Sequence, residues 1–222
     1  MSDIAERLNS IKSTLPEGVE LVAVSKFHPV AALREAYDAG QRVFGESRVQ
    51  EFVDKIPEMP DDTRWHFIGH LQTNKLKYLI GNVSLIESVD SLRLLEMIDD
   101  LSFRKGVITR VLMQLHVAAE ETKFGFTPAE LIDWFATRGF ESLKATHICG
   151  LMGMATNTDD DERISSDFRT VAETRKRILE VAPDLRGFDI LSMGMSDDYQ
   201  AAIAEGSTHV RIGSAIFGQR VY

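Results

Sequence analysis

The chain is short of most features that would commit it to a membrane, an oxidising compartment or a nucleic-acid backbone. It has one cysteine, Cys149, which can form no internal disulfide and fits a reducing cytoplasm. Its longest apolar runs, such as residues 150–155 (Gly-Leu-Met-Gly-Met-Ala), fall far short of a bilayer span. The opening stretch Met1–Arg7 has neither the basic start nor the apolar core of a secretory leader, so the expectation is a cytoplasmic protein. Positive charge is scarce: 25 Lys and Arg face 34 Asp and Glu, a formal net charge of −9. Such a surface repels phosphate backbones and argues against nucleic acid as a partner, although a few local donors can still hold a small anion. No Pro-rich linker, low-complexity tract or charge block divides the chain, so residues 1–222 are expected to form one domain.

What is present is an alternation. Short apolar runs at Leu21–Ser25, Arg42–Glu46, Trp65–Gly69, Ser84–Val89, Arg110–His116, Thr146–Met152, Asp189–Met193 and His209–Gly213 read as strands covered on both faces, as in a parallel sheet. Helical patterns lie between them at Val30–Ala39, Ser91–Phe103, Pro128–Ala136, Ile164–Val181 and Asp197–Ala204, and an extra helix, Ser2–Leu15, comes first. Gly40, Gly81, Gly139 and Gly206 punctuate helix ends, as C-terminal caps would. Eight such repeats in about 200 residues match the smallest (β/α)8 TIM barrels. The competing open doubly wound sheet usually carries a Gly-rich turn after its first strand; here that turn is Lys26-Phe27-His28-Pro29, so the α/β barrel is favoured.

Most signatures of chemistry are absent. There is no Gly-x-x-x-x-Gly-Lys-Ser/Thr phosphate loop and no Gly-x-Gly-x-x-Gly turn. Residues 194–198 (Gly-Met-Ser-Asp-Asp) lack the second glycine of a nucleophile elbow, and Ser196 reads as a helix N-cap followed by two acids. His66 and His70 are four apart, but on a strand that spacing does not put them on one face. His66 reads as a hydrogen-bonded structural histidine, His70 as a loop residue at the mouth, and Cys149 as a small core residue. No cluster of cysteines or carboxylates points to a metal.

The remaining candidates sit at the C-terminal ends of the strands, where barrels of this kind build their sites. Lys26 directly follows the first strand. Arg211 lies within the last, where an inward guanidinium is costly unless a partner or ligand meets it. Gly213 permits close backbone approach, Ser214 supplies a hydroxyl at the start of a short helix, and Ser192 ends the preceding strand. Together they resemble a phosphate cradle, although a simple cap on the barrel end explains the same residues. A strand-end lysine, an inward arginine and a phosphate cradle in one barrel point to pyridoxal 5′-phosphate (PLP).

At this point a family resemblance emerges. Residues 21–26 (LVAVSK), 44–51 (FGESRVQE), 65–75 (WHFIGHLQTNK), 150–152 (GLM), 191–198 (LSMGMSDD) and 205–220 (EGSTHVRIGSAIFGQR) resemble, in order and along essentially the whole chain, the pyridoxal-phosphate homeostasis proteins (the YggS/PROSC family). The resemblance implies a single barrel similar to that of alanine racemase. It implies a Schiff base between Lys26 and the cofactor aldehyde, a phosphate held by Ser192, Gly213 and Ser214, Met193 near the ring, and Arg211 facing the pyridine nitrogen. The rim departs from the family pattern: Ser47 stands where an asparagine is common, Phe27-His28 follow the lysine in place of threonine and lysine, and His70 replaces a proline. Ser214 replaces a threonine but keeps the hydroxyl, and 123–125 (Lys-Phe-Gly) replaces Lys-Ser-Gly.

The expected function is a carrier that holds PLP reversibly and helps balance vitamin B6 and amino-acid pools, with PLP-dependent apoenzymes as acceptors and a monomer as its state. No robust turnover is expected: an arginine opposite the ring nitrogen cannot keep it protonated, which disfavours aminotransferase chemistry. Alanine racemase works with such an arginine but adds a tyrosine base, a role for which none of Tyr37, Tyr78, Tyr199 and Tyr222 is placed on the open face. The runner-up is a PLP-dependent amino-acid racemase of low activity. A third class is a catalytically silent barrel that acts through protein partners.

Overall fold

In the computed structural model, which describes residues 3–119 and 124–219, eight parallel strands close into a barrel in sequence order. They are β1 (Glu20–Val24), β2 (Val43–Glu46), β3 (Arg64–Phe67), β4 (Leu85–Val89), β5 (Thr109–Gln114), β6 (Thr146–Met152), β7 (Ile190–Ser192) and β8 (His209–Ile212). All eight expected strands are found, with ends shifted by up to two residues. The helices are α1 (Asp3–Thr14), α2 (Val30–Asp38), α3 (Val49–Lys55), α4 (Leu76–Leu79), α5 (Leu92–Lys105), α6 (Pro128–Ala136), α7 (Asp161–Val181), α8 (Tyr199–Ala204) and α9 (Ser214–Phe217). Ser2, expected to open the first helix, lies outside the described residues. Among those residues no helix is long and apolar enough to cross a membrane.

Strand alternation sorts the side chains into two layers. Leu21 and Ala23, Phe44, Trp65 and Phe67, Ile148 and Leu151, and Val210 and Ile212 point outward into one continuous core beneath the helices. Leu85, Leu112, Cys149, Met152 and Ile190 form a separate cluster, the apolar filling of the barrel itself. Cys149 is fully buried there, as its apolar strand implied. Closure is sealed where β1 meets β8, with Leu21 opposite Val210 and Ala23 opposite Ile212. Helix α1 packs against α2 and α9, and Arg7 Nε donates to the Ile216 carbonyl at 2.7 Å, tying the chain's start to the helix that follows the last strand.

Local chemistry explains the helix ends. Ser91 Oγ accepts from the Leu94 amide, and Thr127 and Glu130 form a reciprocal capping box at the start of α6. Gly40, Gly81 and Gly206 take the left-handed conformation after their helices. Gly139 does not: Arg138 takes it instead at φ 60°, anchored through its guanidinium to Glu141 and Asp184, and Gly139 opens a 3-10 turn. Gly139 is a glycine for another reason, since a Cβ there would lie 2.2 Å from Trp134 Nε1.

Candidate functional site

The C-terminal ends of β1 and β8 are neighbours, so the turns that follow them are neighbours too. Lys26 lies in the turn directly after β1 and is partly exposed. Gly213 follows β8, and a Cβ placed on it would lie 3.1 Å from the Val24 carbonyl and 3.2 Å from Val24 Cβ. The absence of a side chain lets the turn after β8 lie close against the end of β1.

A buried ionic network supports the Lys26 turn from behind. Lys55, at the end of α3, donates to the Ser25 carbonyl at 2.9 Å, to Glu46 Oε1 at 2.6 Å and to Glu51 Oε2 at 3.1 Å. Ser25 Oγ donates to Glu46 Oε1 at 2.7 Å, and Glu51 Oε2 accepts from the Phe27 amide at 2.7 Å. Burial pushes the Glu46 carboxyl up, with Lys55 opposing, and its Oε2 has no hydrogen-bond partner. Burial also acts upward on Glu51, but the Phe27 amide and Lys55 outweigh it and hold Glu51 below the usual carboxylate range.

On the other side of Gly213, Ser214 is exposed and its Oγ donates to Ser196 Oγ at 3.1 Å. Ser196 is therefore not the N-cap expected of it. That position belongs to Asp198, whose carboxylate instead accepts from the Met195 amide at 2.5 Å and closes the loop after β7. The Arg211 amide donates to the Gly194 carbonyl at 2.9 Å, which holds this loop against β8. Gly213, Ser214 and Ser196 thus share one edge of the barrel mouth.

The side chains of Ser192 and Met193 are engaged inside the fold. Both are fully buried. Ser192 Oγ donates to Glu87 Oε2 at 2.6 Å and accepts from Arg211 Nη1 at 2.6 Å, so its hydroxyl is spent inside the barrel. Met193 faces outward into the core beneath the helices, because alternation sends it opposite to Ser192. The Ser192 hydroxyl is thus engaged with Glu87 and Arg211, and the Met193 side chain packs in the outer core.

Arg211 faces inward as expected, and it is paired. Nη1 donates to the Ser192 carbonyl at 2.7 Å, Nη2 donates to the Gly153 carbonyl at 2.9 Å, and Glu87 Oε2 lies 3.8 Å away. Among the described residues none of its hydrogen bonds uses Nε. Burial pulls the Arg211 pKa down and Glu87 pulls it back up. Burial alone would raise Glu87, but the His66 hydrogen bond at 2.7 Å, the charges of His66 and Arg211, and the Ser192 hydroxyl hold it at about 2. His66 is the hydrogen-bonded structural histidine read from the sequence, and its ring stacks on His209 at 6.1 Å between centroids. Glu87 carries no motif; only its place as a charged residue in a fully buried strand marks it.

The rim residues spread out. His28 packs on Phe217, with ring centroids 5.1 Å apart. His70 stacks on Phe124 at 4.1 Å and meets Asp90 at 2.9 Å. Ser47, partly exposed, lines a cavity of about 260 Å³ with His70 and Lys75. Lys123 lies outside the described residues. A cavity of about 660 Å³ opens at the opposite end of the barrel, lined by Lys12, Glu20, Arg42 and His209 and remote from Lys26. Among the described residues no cluster of His, Cys, Asp and Glu could hold a metal ion.

Known proteins share this fold. The family model described as the alanine racemase N-terminal domain matches residues 1–221. The chain is 38% identical over 231 residues to the pyridoxal phosphate homeostasis protein of Aquifex aeolicus, covering all of this chain and 97% of that one. It is 38% identical over 230 residues to the protein of that name from Schizosaccharomyces pombe, covering 99% and 94%. PipY of Synechococcus elongatus, solved without PLP, superposes with a TM-score of 0.92 at 39% identity, covering 97% of this chain and all of PipY. PipY solved with PLP bound gives 0.88 at 38% identity, again over 97% of this chain and all of PipY. Alanine racemase of Clostridium difficile matches at a TM-score of 0.78 and 15% identity, a likeness of fold, over 98% of this chain and 56% of the racemase. The chain belongs to the pyridoxal phosphate homeostasis family.

Proposed function

We propose that this chain binds PLP at the C-terminal mouth of its barrel through a Schiff base to Lys26 and serves as a cytoplasmic holder of the cofactor. In that role it balances vitamin B6 and amino-acid pools. The observation that carries the reading is the adjacency of the Lys26 turn and the Gly213–Ser214 turn on neighbouring strands, in a chain 38% identical to a protein solved with PLP bound.

The residues present suit the group. Gly213 and the two hydroxyls of Ser214 and Ser196 offer close approach and donors to a phosphate. Arg211 keeps Nε for an unprotonated ring nitrogen while its terminal nitrogens hold it in place. Ser192 and Glu87 act one step behind, orienting that guanidinium. When bound, PLP supplies an aldehyde that captures amines and a ring that accepts electrons.

The chain's own residues favour holding over turnover. A permanently charged arginine would donate to the ring nitrogen and could not protonate it, which would weaken the electron sink. A racemase also needs a second proton-transfer group on the far side of the substrate. The described tyrosines are engaged elsewhere: Tyr37 donates to Asp62, Tyr199 meets Thr14, and Tyr78 lies beneath Lys77.

The test is a transfer assay. PLP-loaded protein mixed with the apo form of a PLP-dependent enzyme should restore that enzyme's activity, while a panel of single-enantiomer amino acids should show no racemisation above a free-PLP control. Racemisation well above that control would replace the carrier with an enzyme.

A further inference from the structure

We propose that Glu51 and Lys55 are positioning residues for Lys26, a clamp that fixes the peptide groups on both sides of the anchoring lysine. The inference rests on Lys26 being the PLP anchor. The Ser25 carbonyl, one residue before Lys26, accepts from Lys55 Nζ at 2.9 Å. The Phe27 amide, one residue after it, donates to Glu51 Oε2 at 2.7 Å. The two clamping side chains are joined to each other at 3.1 Å, and Glu46 holds Lys55 from beneath at 2.6 Å.

The turn needs such a clamp. Phe27 sits at φ 67°, a left-handed backbone that disfavours a non-glycine residue by roughly tenfold. Arg48 adds a second hold, its guanidinium 4.3 Å above the Phe27 ring and 3.9 Å from Glu51 Oε1. With those contacts the turn directs Lys26 from one backbone conformation; without them it relaxes toward commoner ones. Holding the nucleophile in place before PLP arrives removes an ordering cost from binding. The network also separates two lysines that lie close in the fold. Lys55 spends its three donors on Ser25, Glu46 and Glu51 and has a side chain only 8% exposed, so it cannot compete as the amine.

The test is PLP titration followed by the visible band, with melting of the PLP-free protein alongside. Glu51→Ala is expected to weaken PLP binding about tenfold, the worth of one charge-assisted hydrogen bond. Glu51→Gln, which keeps an acceptor for the Phe27 amide, should stay within about threefold. Adding Phe27→Gly to Glu51→Ala should recover most of the loss, because glycine takes up the left-handed turn unaided. If Glu51→Ala does not fold, Glu51→Asp, one methylene too short, makes the same comparison. A folded Glu51→Ala with wild-type affinity would overturn the clamp, as would a loss that neither glutamine nor Phe27→Gly recovers. A wild type that forms no adduct on Lys26 overturns the anchor itself, and the clamp with it.

Discussion

A guanidinium inside a barrel costs several kcal/mol unless charge and hydrogen bonds replace the water it gives up. Arg211 meets that requirement with Glu87, two carbonyls and the Ser192 hydroxyl. The carboxylate is the more exposed to failure. Its pKa lies near 2 in the folded protein against an ordinary 4.5, so the unfolded chain binds a proton first as the pH falls. Glu87 therefore contributes stability that is fully present above about pH 4.5 and is lost as the pH falls toward 2. Glu87→Gln should be less stable than wild type at neutral pH and should show a flatter decline in melting temperature across that window. Parallel declines in the two proteins would contradict this. At the mouth, Ser214→Ala removes a hydroxyl from the edge proposed for the phosphate and should weaken PLP binding about tenfold without moving the PLP-free melting temperature. Ser192→Ala, by contrast, should lower that melting temperature, since it leaves part of the Glu87 and Arg211 charge unanswered.

Among the elements, the strands were legible because each is a short apolar run covered on both faces, and all eight were found. Helix α3 was not. Its seven residues carry only three apolar side chains, too few to show a helical stripe, yet it delivers Glu51 and Lys55 to the site. Ser196 was misread for a related reason. A serine before two aspartates looks like a cap, but Asp198 takes that position and frees Ser196 to meet Ser214. Ser192 and Glu87 lie 105 residues apart in the chain, a contact that only barrel closure creates. The bulge where β6 passes Cys149 is another tertiary product, since Val111 pairs with Ile148 and Leu112 with Gly150. Gly150 lies at φ 152°, and a Cβ there would sit 1.9 Å from the Ile190 carbonyl. Gly150→Ala should cost about 2–4 kcal/mol, against about 1–2 kcal/mol for Gly81→Ala, whose Cβ meets open space. Equal losses in denaturant titration would contradict the close packing of β6 on β7.

At the scale of the whole molecule, one barrel brings together residues from its first and last strands, and that closure makes the site. Lys26 and Gly213 are distant in sequence and adjacent in space because β1 pairs with β8. The net charge of −9 does not by itself forbid the proposed anion site, since the Ser196 and Ser214 hydroxyls act locally while distant charges are screened. The fold is shared with alanine racemase, of which this chain spans 56%. Fold alone therefore does not decide the chemistry, and the site residues carry that decision. The most direct measurement is borohydride reduction of the PLP-treated protein, with peptide mapping of the wild type and Lys26→Ala. The account predicts a visible band in the wild type, a reduced adduct confined to the peptide containing Lys26, and neither in the variant. An adduct of equal yield in Lys26→Ala, or one mapped to another lysine in the wild type, would contradict it.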